Sequence, residues 1–177
     1  MGKIIAAVKS VETLKKMIDT TADTVFYITP NIDCLNTVAE LSHKSGKTVY
    51  IHMDMTEGLG KDRYGVGYVK QCGIDGIIST RSNIIKFARE AGLKTVQRFF
   101  IIDALSVHST ADTVKSAKPD MIEVMPGCAP KIIEKLKPLV NVPIIAGGLI
   151  ETDDEVEAAF SAGAYAISTS RETLWVK

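Results

Sequence analysis

Short apolar runs alternate along the chain with longer segments in which apolar residues recur every three or four positions. The first run covers residues 3–8, and Val11, Leu14 and Met17 then follow at helical spacing behind Ser10, a residue type that often caps helices. The same alternation continues to the end of the chain. It predicts strands at residues 3–8, 24–29, 47–53, 74–78, 95–102, 121–124, 142–146 and 166–167. It predicts helices after residues 10 and 31, then at residues 65–72, 82–91, 106–118, 130–136 and 153–162, and a last short helical segment that begins at 168–170.

Eight strands that alternate with helices on short connecting loops predict a parallel sheet with helical crossovers. Eight strands also suffice to close a compact (β/α)8 barrel of the TIM type, here trimmed from the usual length of about 250 residues. An open doubly wound sheet is the alternative. The run Ile78-Ser79-Thr80 is repeated half a chain later as Ile167-Ser168-Thr169, and this internal repeat favours the barrel. We expect a single domain over residues 1–177.

Composition limits the classes of partner. The 21 Lys and Arg residues balance the 21 Asp and Glu residues, so the chain has no overall basic field for nucleic acid, and any RNA contact must come from a local patch. Cys34, Cys72 and Cys128 lack metal-site spacing, and no apolar run is long enough to cross a bilayer. With no signal-like start, the sequence predicts a cytoplasmic protein without membrane contact, bound metal or cofactor.

Polar residues at the carboxyl ends of the predicted strands are the first candidates for a binding site, because barrels bind and react there. His52 and Asp54 are two positions apart at the end of strand three. Arg98 lies on strand five and Glu123 on strand six. We expect these four side chains to converge on the mouth of the barrel, where they could read the hydroxyl groups of a ligand.

No complete catalytic set accompanies these residues. A Schiff-base aldolase needs a lysine near the carboxyl end of a strand, but Lys47 and Lys94 lie at strand starts. His43 and His108 fall within predicted helices, so the histidine and carboxylate set of a metal-dependent epimerase is incomplete. We therefore expect a protein that is not an enzyme. The alternative is a small barrel enzyme of the isomerase or epimerase type, which acts on a triose or pentose phosphate and draws its acid and base from His52, Asp54 or Glu123.

Two small-residue turns near the end of the chain are the most specific chemical signal. One follows strand seven and the other ends strand eight, which is where barrels commonly bind phosphate. Free backbone N–H groups, hydroxyls and an arginine provide the donors that an oxyanion needs. The predicted phosphate site consists of Gly147, Gly148, Ser168, Thr169, Ser170 and Arg171. The alternative is an ordinary glycine turn and an ordinary helix cap.

The connector after strand three, residues 54–64, is longer than its neighbours. It holds Gly58 and Gly60 between Glu57 and Lys61, but it lacks the spacing of a phosphate-binding P-loop. These four residues form a possible lid over the mouth, with a plain flexible connector as the alternative.

Several motifs, in this order and spacing, resemble one family over essentially the whole chain. They are His52-x-Asp54 with Glu57-Gly58-Leu59 and Asp62, Ile77-Ile78-Ser79-Thr80-Arg81-Ser82, Gln97-Arg98 with Asp103, Pro126-Gly127, Ala146-Gly147-Gly148-Leu149-Ile150 and Ile167-Ser168-Thr169-Ser170. Together they resemble the glycerol uptake operon antiterminator regulatory proteins. The resemblance implies a small barrel whose effector is glycerol 3-phosphate. It also implies action on the leader mRNA of glycerol-utilisation genes, where premature termination is prevented without catalytic turnover.

The RNA surface that this resemblance implies is less defined by the sequence than the phosphate site. RNA is usually held by cations and stacking aromatic rings. The densest positive surface consists of Lys115, Lys118, Lys131, Lys135 and Lys137 on and after predicted helices five and six. Solvated helix faces are the alternative for these lysines, and a barrel that binds phosphate but no RNA is a third possibility for the protein. The oligomeric state is left open.

Overall fold

The computed structural model describes residues 2–176, and its eight parallel strands form a closed barrel in sequence order. The strands are β1 (Lys3–Val8), β2 (Thr24–Tyr27), β3 (Thr48–His52), β4 (Gly76–Ser79), β5 (Lys94–Phe100), β6 (Met121–Met125), β7 (Ile144–Gly147) and β8 (Ala166–Thr169). β8 pairs with β1 and closes the ring, which confirms the predicted (β/α)8 barrel and rules out the open sheet. Met1 and Lys177, the two ends of the predicted domain, lie outside the described residues.

Seven α-helices connect the strands within the described residues. They are α1 (Val11–Ile18), α2 (Leu35–Lys44), α3 (Arg63–Gln71), α4 (Ser82–Glu90), α5 (Ala104–Ala117), α6 (Pro130–Leu136) and α7 (Asp153–Ser161). Short 3-10 turns occur at Ile32–Cys34, Met53–Met55, Lys137–Leu139 and Glu172–Leu174. No helix of residues 2–176 is long and apolar enough to cross a membrane.

The last helical segment begins later than the sequence predicted. Ser168 and Thr169 still belong to β8, so the 3-10 turn starts only at Glu172. α5, in contrast, begins two residues earlier than expected, because the Asp103 carboxylate accepts a hydrogen bond from the Ser106 backbone N–H and the Ser106 side chain accepts one from the Asp103 N–H. This capping box fixes the start of the helix one residue after Asp103.

Side chains that point into the barrel change from apolar to polar along the strands. The lower interior is a cluster of Ile5, Phe26, Tyr50, Ile78, Val96, Ile145 and Ala166. Towards the carboxyl ends of the strands, the next inward positions are Arg98 on β5, Glu123 on β6, Gly147 on β7 and Ser168 on β8. Arg98 pairs in register with Glu123, and Gly147 with Ser168, so four consecutive strands place these residues side by side.

Candidate ligand-binding site

A pocket of about 360 Å³ opens at the carboxyl end of the barrel, between the ends of β1, β5 and β6 and the segments that follow β7 and β8. Its size falls in the range of small-molecule sites, roughly 300–1,000 Å³. Five of the six residues of the predicted phosphate set line it: Gly148, Ser168, Thr169, Ser170 and Arg171. Of the four predicted hydroxyl-reading residues, Arg98 and Glu123 line it.

A buried ion pair forms the inner wall of the pocket. Arg98 Nε donates to Glu123 Oε2 at 2.6 Å, and Ser168 Oγ donates to Glu123 Oε1 at 2.5 Å. The Glu123 side chain is 0% exposed and that of Arg98 is 7% exposed. Both carboxylate oxygens therefore have partners inside the protein. Because the Arg98 guanidinium is held through Nε, its terminal nitrogens remain as donors for a ligand anion.

Gly147 makes this network possible. A Cβ at this position would overlap the Glu123 carboxylate and would lie 2.7 Å from Ser168 Oγ. The missing side chain on β7 lets a carboxylate on β6 reach a hydroxyl on β8. Gly147 itself does not line the pocket, so its contact with phosphate stays a prediction, and the network gives a separate reason for glycine here.

The turn after β7 offers backbone donors at the rim of the pocket. Gly148 has φ +79° and Leu149 has φ +59°, two successive residues in the left-handed region. Gly127 N–H donates to the carbonyls of Gly147 and Gly148, at 2.6 and 3.0 Å, which fixes the turn from the β6 side. Within residues 2–176, the N–H groups of Gly148 and Leu149 donate to no acceptor. Successive free N–H groups in such a turn form a concave site for an anion.

The end of β8 forms the opposite rim. Thr169 faces the helices rather than the barrel interior, where its Oγ1 donates to the Ile150 carbonyl at 2.8 Å and accepts from Arg171 N at 3.0 Å. Trp175 Nε1 donates to the Thr169 carbonyl at 2.8 Å. Thr169 thus orients the two rim segments, while the Arg171 guanidinium makes no ion pair with any described residue.

His52 lies inside the barrel but outside the lining of the pocket. Its side chain is buried, with 4% exposure, and Nδ1 has no hydrogen-bond partner among the described residues. Burial, together with the nearby positive charge of Arg98, lowers the pKa of His52 to about 4. The imidazole is therefore neutral at pH 7. Because His52 does not line the pocket, its predicted hydrogen bond to a ligand hydroxyl stays a prediction.

Asp54 organises the loop between β4 and α4 instead of facing the pocket. Its Oδ1 accepts from Ser79 Oγ at 2.8 Å, and its Oδ2 accepts from Thr80 N at 2.7 Å and from Thr80 Oγ1 at 2.9 Å. The Arg81 Nε lies 3.7 Å from Oδ1. Burial raises the pKa of Asp54, but the hydrogen bonds from Thr80 and Ser79 outweigh it, and the net shift is downward. Its predicted role in reading ligand hydroxyls stays untested.

The predicted lid is tied to its neighbours. Glu57 N–H donates to the Pro30 carbonyl at 2.9 Å, and Ile32 N–H donates to the Glu57 carbonyl at 2.9 Å, so this loop is joined to the segment after β2. Lys61 Nζ donates to the Thr56 carbonyl. None of the predicted lid residues, Glu57, Gly58, Gly60 and Lys61, lines the pocket. A lid movement therefore remains a prediction.

The five lysines of the predicted RNA surface are exposed and occupy different surroundings. Lys115 Nζ lies 3.8 Å from Asp112 Oδ1. Lys118 lines a separate groove on the outside of the barrel. Lys137 begins the 3-10 turn after α6, and its side chain lies against Gly163 in the turn before β8. The remaining two, Lys131 and Lys135, are on α6.

Sequence reasoning missed Lys9. It follows β1 directly and lines the pocket, so the expectation that no predicted strand has a lysine near its carboxyl end was wrong. Its position at the carboxyl end of a strand was the signal that could have identified it. Lys9 is exposed, and it therefore lacks the burial that activates a Schiff-base lysine. Among the described residues, no three His, Cys, Asp or Glu side chains are placed to hold a metal ion.

Comparison with known proteins identifies the family. Residues 4–175 match the family model described as glycerol-3-phosphate responsive antiterminator. The chain belongs to this family. The crystal structure of the glycerol uptake operon antiterminator regulatory protein from Listeria monocytogenes is similar, with a TM-score of 0.92 and 31% identity over 98% of this chain and 94% of that one. A glycerol uptake operon antiterminator-related protein from Thermotoga maritima gives a TM-score of 0.88 and 32% identity, over 99% of both chains. The uncharacterized Escherichia coli protein YgcP is 33% identical over 97% of this chain and 91% of its own length.

Proposed function

We propose that this protein binds glycerol 3-phosphate in the pocket at the barrel mouth and, when bound, acts as an antiterminator on the leader mRNA of glycerol-utilisation genes. Membership of the glycerol-3-phosphate responsive family supports both the effector and the regulatory role. The observation that carries the proposal is the buried Arg98–Glu123–Ser168 network beneath a pocket rimmed by free N–H groups and Arg171.

The charges around the pocket fit a phosphate monoester. Glu123 neutralises Arg98 within the wall, and at the rim the two cations Lys9 and Arg171 outnumber the carboxylate of Glu151, so a positive charge remains in excess. The phosphate would lie against the turn at Gly148 and against Ser170 and Arg171, where backbone and side-chain donors converge. The glycerol end would then point towards the terminal nitrogens of Arg98. This orientation separates a strongly charged rim from a buried, less charged wall.

Calorimetric titration tests the effector directly. We expect glycerol 3-phosphate to bind, and glycerol and inorganic phosphate to bind at least tenfold more weakly, because each offers only part of the contacts. Arg171→Ala should weaken the binding of glycerol 3-phosphate and of inorganic phosphate alike, because the substitution removes a cation from the rim of the pocket. Lys15→Ala, which removes a cation from the exposed face of α1, is the control. Equal affinity for glycerol and glycerol 3-phosphate would contradict the proposal.

Filter binding to a leader transcript of a glycerol-utilisation gene tests the regulatory half. Retention of the RNA should depend on added glycerol 3-phosphate, since coupling requires that the two ligands favour the same state of the protein. The Arg171→Ala protein should lose this dependence at effector concentrations that saturate the unmodified protein. RNA retention that is the same with and without effector would refute the coupling.

The contacts of the carboxylates disfavour the enzyme alternative. A triose or pentose phosphate isomerase or epimerase would use Asp54 or Glu123 as base, and all four oxygens of these two side chains already accept hydrogen bonds within the protein. His52 is neutral and lies outside the pocket lining. Incubation with triose and pentose phosphates should give no turnover. Steady turnover that Asp54→Ala abolishes would establish the enzyme instead.

A further inference from the structure

A second recess, of about 470 Å³, lies on the outside of the barrel between α4 and α5. Its walls are Ser82, Asn83, Lys86 and Arg89 on α4, together with the last turn of α5 and Lys118. We call these five named residues the α4–α5 groove. Three of them are cationic, and no carboxylate belongs to the lining.

The three cations of the α4–α5 groove line one recess that contains no acidic partner. Within residues 2–176, Lys86, Arg89 and Lys118 form no ion pair, whereas Lys115, one turn earlier on α5, lies 3.8 Å from the Asp112 carboxylate. Like charges that converge on one recess repel each other and do not favour folding. In a chain whose formal net charge is +0, this is a local surplus that an anionic partner would offset.

The groove side chains are arranged by the two helices. Ser82, Lys86 and Arg89 are four and three residues apart, a spacing that places them on one face of α4. Arg89 Nη1 donates to the Ala117 carbonyl at 3.2 Å, which links the guanidinium to the end of α5. Its other nitrogens remain available. The groove therefore presents one oriented arginine, two exposed lysines and neutral donors along the same recess.

Lys118 occupies a position that favours a different residue type. It ends α5 in the left-handed conformation, with φ 50° and ψ 55°, and its N–H donates to the Val114 carbonyl at 2.9 Å. Glycine or asparagine is usual at such a cap, and another residue there costs roughly 1 kcal/mol or more. A lysine is thus held beside the groove at some cost in stability. Residues kept in unfavoured backbone conformations often serve binding.

We propose that the α4–α5 groove binds the phosphodiester backbone of RNA. Lysine and arginine neutralise phosphates, while the Ser82 hydroxyl and the Asn83 amide can bond phosphate oxygens or ribose 2′-hydroxyls. The proposal rests on the proposed function, from which RNA is taken as the partner. It replaces the broad lysine surface on α5 and α6 by a defined recess that shares only Lys118 with it.

Strand β5 connects the groove to the ligand pocket, because two successive residues of this strand face the two sites. Gln97 on β5 faces outward and its Nε2 donates to Ser82 Oγ at 3.0 Å, while the next residue, Arg98, faces inward and lines the pocket. Gln97 is 0% exposed, and its Oε1 has no partner in the described chain. β5 is therefore a short physical connection by which a change at Arg98 could reach the groove.

Filter binding of a leader transcript over a range of salt concentrations tests this assignment on the full chain with glycerol 3-phosphate present. Lys86→Ala combined with Arg89→Ala should lower the affinity at least tenfold and reduce the slope of log K against log salt, by about 0.7 for each phosphate that is no longer neutralised. Lys118→Gly should also reduce the slope while the protein keeps or gains thermal stability, since glycine suits the left-handed cap. That variant separates RNA binding from folding.

Two matched controls complete the experiment. Lys115→Ala removes a paired lysine from α5, and Lys131→Ala combined with Lys135→Ala removes the same number of charges from α6 as the double groove variant removes from α4; both should keep the affinity within about twofold and the salt slope unchanged. RNA binding that survives the groove variants with an unaltered slope would overturn the groove and leave the proposed function standing. If the unmodified protein binds no RNA at any effector concentration, both fail together. Loss of affinity in the α6 variant, but not in the groove variants, would place the RNA on α6.

Discussion

On the side of the mouth formed by β5–β8, the Glu123 carboxylate accepts hydrogen bonds from the Ser168 hydroxyl and the Arg98 guanidinium. On the side formed by β3 and β4, the Asp54 carboxylate accepts hydrogen bonds from the Ser79 hydroxyl and the Thr80 N–H. We call these the pocket half and the β3–β4 half. In each half, a carboxylate accepts hydrogen bonds from donors at the end of another strand. The network of the pocket half borders the pocket.

The difference comes from which face of the strand carries the serine. Ser168 points into the barrel beside Gly147, whereas Ser79 pairs in register with Gln97 and points towards the helices. The inward network therefore borders the pocket, and the outward one fastens the loop before α4. Hydrogen bonding of a serine to a carboxylate at the end of a strand is thus compatible with either a binding wall or a structural joint. The free donors around the network decide between the two.

The largest effect should come from removing the charge of Glu123. Glu123→Gln keeps the shape of the side chain but leaves Arg98, 7% exposed, without its counter-charge. Breaking one member of a buried ion pair typically costs about 3–5 kcal/mol of unfolding free energy. Urea unfolding at pH 7 should show a loss of this size. Glycerol 3-phosphate should then stabilise the variant less than it stabilises the unmodified protein, because Arg98 and Ser168 are no longer positioned.

Asp54→Asn is the matched change in the β3–β4 half. Asp54 accepts mainly from neutral donors and is 12% exposed, so we expect a loss of about 1–3 kcal/mol and no change in effector affinity. The pKa of Asp54 is lowered in the folded state, so its contribution is present at neutral pH and is lost as the pH falls through the folded pKa. Equal losses of effector affinity in the two variants would break the distinction between the halves.

His52 links the two halves electrostatically and should make stability depend on pH. It lies on β3, but the charge of Arg98 helps burial to lower its pKa from 6.5 to about 4. Between these values the unfolded chain binds a proton that the folded protein does not. The unfolding free energy should therefore fall by about 3 kcal/mol as the pH drops from 6.5 to 4. Above pH 6.5 the contribution of the neutral His52 to stability is fully present.

Comparison of pH profiles isolates this contribution. His52→Gln should flatten the decline between pH 6.5 and 4, whatever its effect on stability at pH 7. His108→Gln, at an exposed position on α5, is the control for the substitution itself. A decline of undiminished size in the His52 variant would show that other groups cause it.

A smaller effect is expected from adding one methyl group between Glu123 and Ser168. Gly147→Ala would push the carboxylate away from the hydroxyl and cost about 1–3 kcal/mol through overpacking. The effector affinity should fall as well, since the pocket wall moves. Gly67→Ala on α3 is the matched control: nothing lies within 4 Å of its added Cβ, and alanine favours a helix by about 0.5–1 kcal/mol. Unaltered effector binding by Gly147→Ala would mean that the wall does not contribute.

The sequence was sufficient to predict the barrel, because the alternation of strands and helices is a local pattern that is repeated along the chain and gives eight strands. It was also sufficient to place the turns after β7 and β8 at the mouth. The internal repeat was misleading in one respect: Ile78 points into the barrel and Ile167 away from it, so the two Ile-Ser-Thr runs are offset by one residue and present opposite faces. A one-residue shift in a strand exchanges all inward and outward side chains.

Other features of the site depend on contacts that no local pattern contains. The partners of Glu123 come from β5 and β8, 25 positions before it and 45 after it. Asp54 is separated from its donors Ser79 and Thr80 by 25 and 26 positions. Residue type and strand position predicted only that these side chains lie near the carboxyl ends of the strands. The register of the strands, which the structure provides, was needed to decide which of the two carboxylates borders the pocket.

The smallest expected change concerns the loop over the β3–β4 half. Its backbone is hydrogen bonded to Pro30 and Ile32, and it does not line the pocket, while the turn at Gly148 and Leu149 has free N–H groups beside it. Saturating glycerol 3-phosphate should therefore slow hydrogen exchange in residues 148–151 and leave residues 57–62 unchanged, because exchange slows where amides gain a partner or open less often. Inorganic phosphate at saturation is the control and should protect the same turn. Protection of residues 57–62 by glycerol 3-phosphate alone would instead support a closing lid and show that the two halves of the mouth act together.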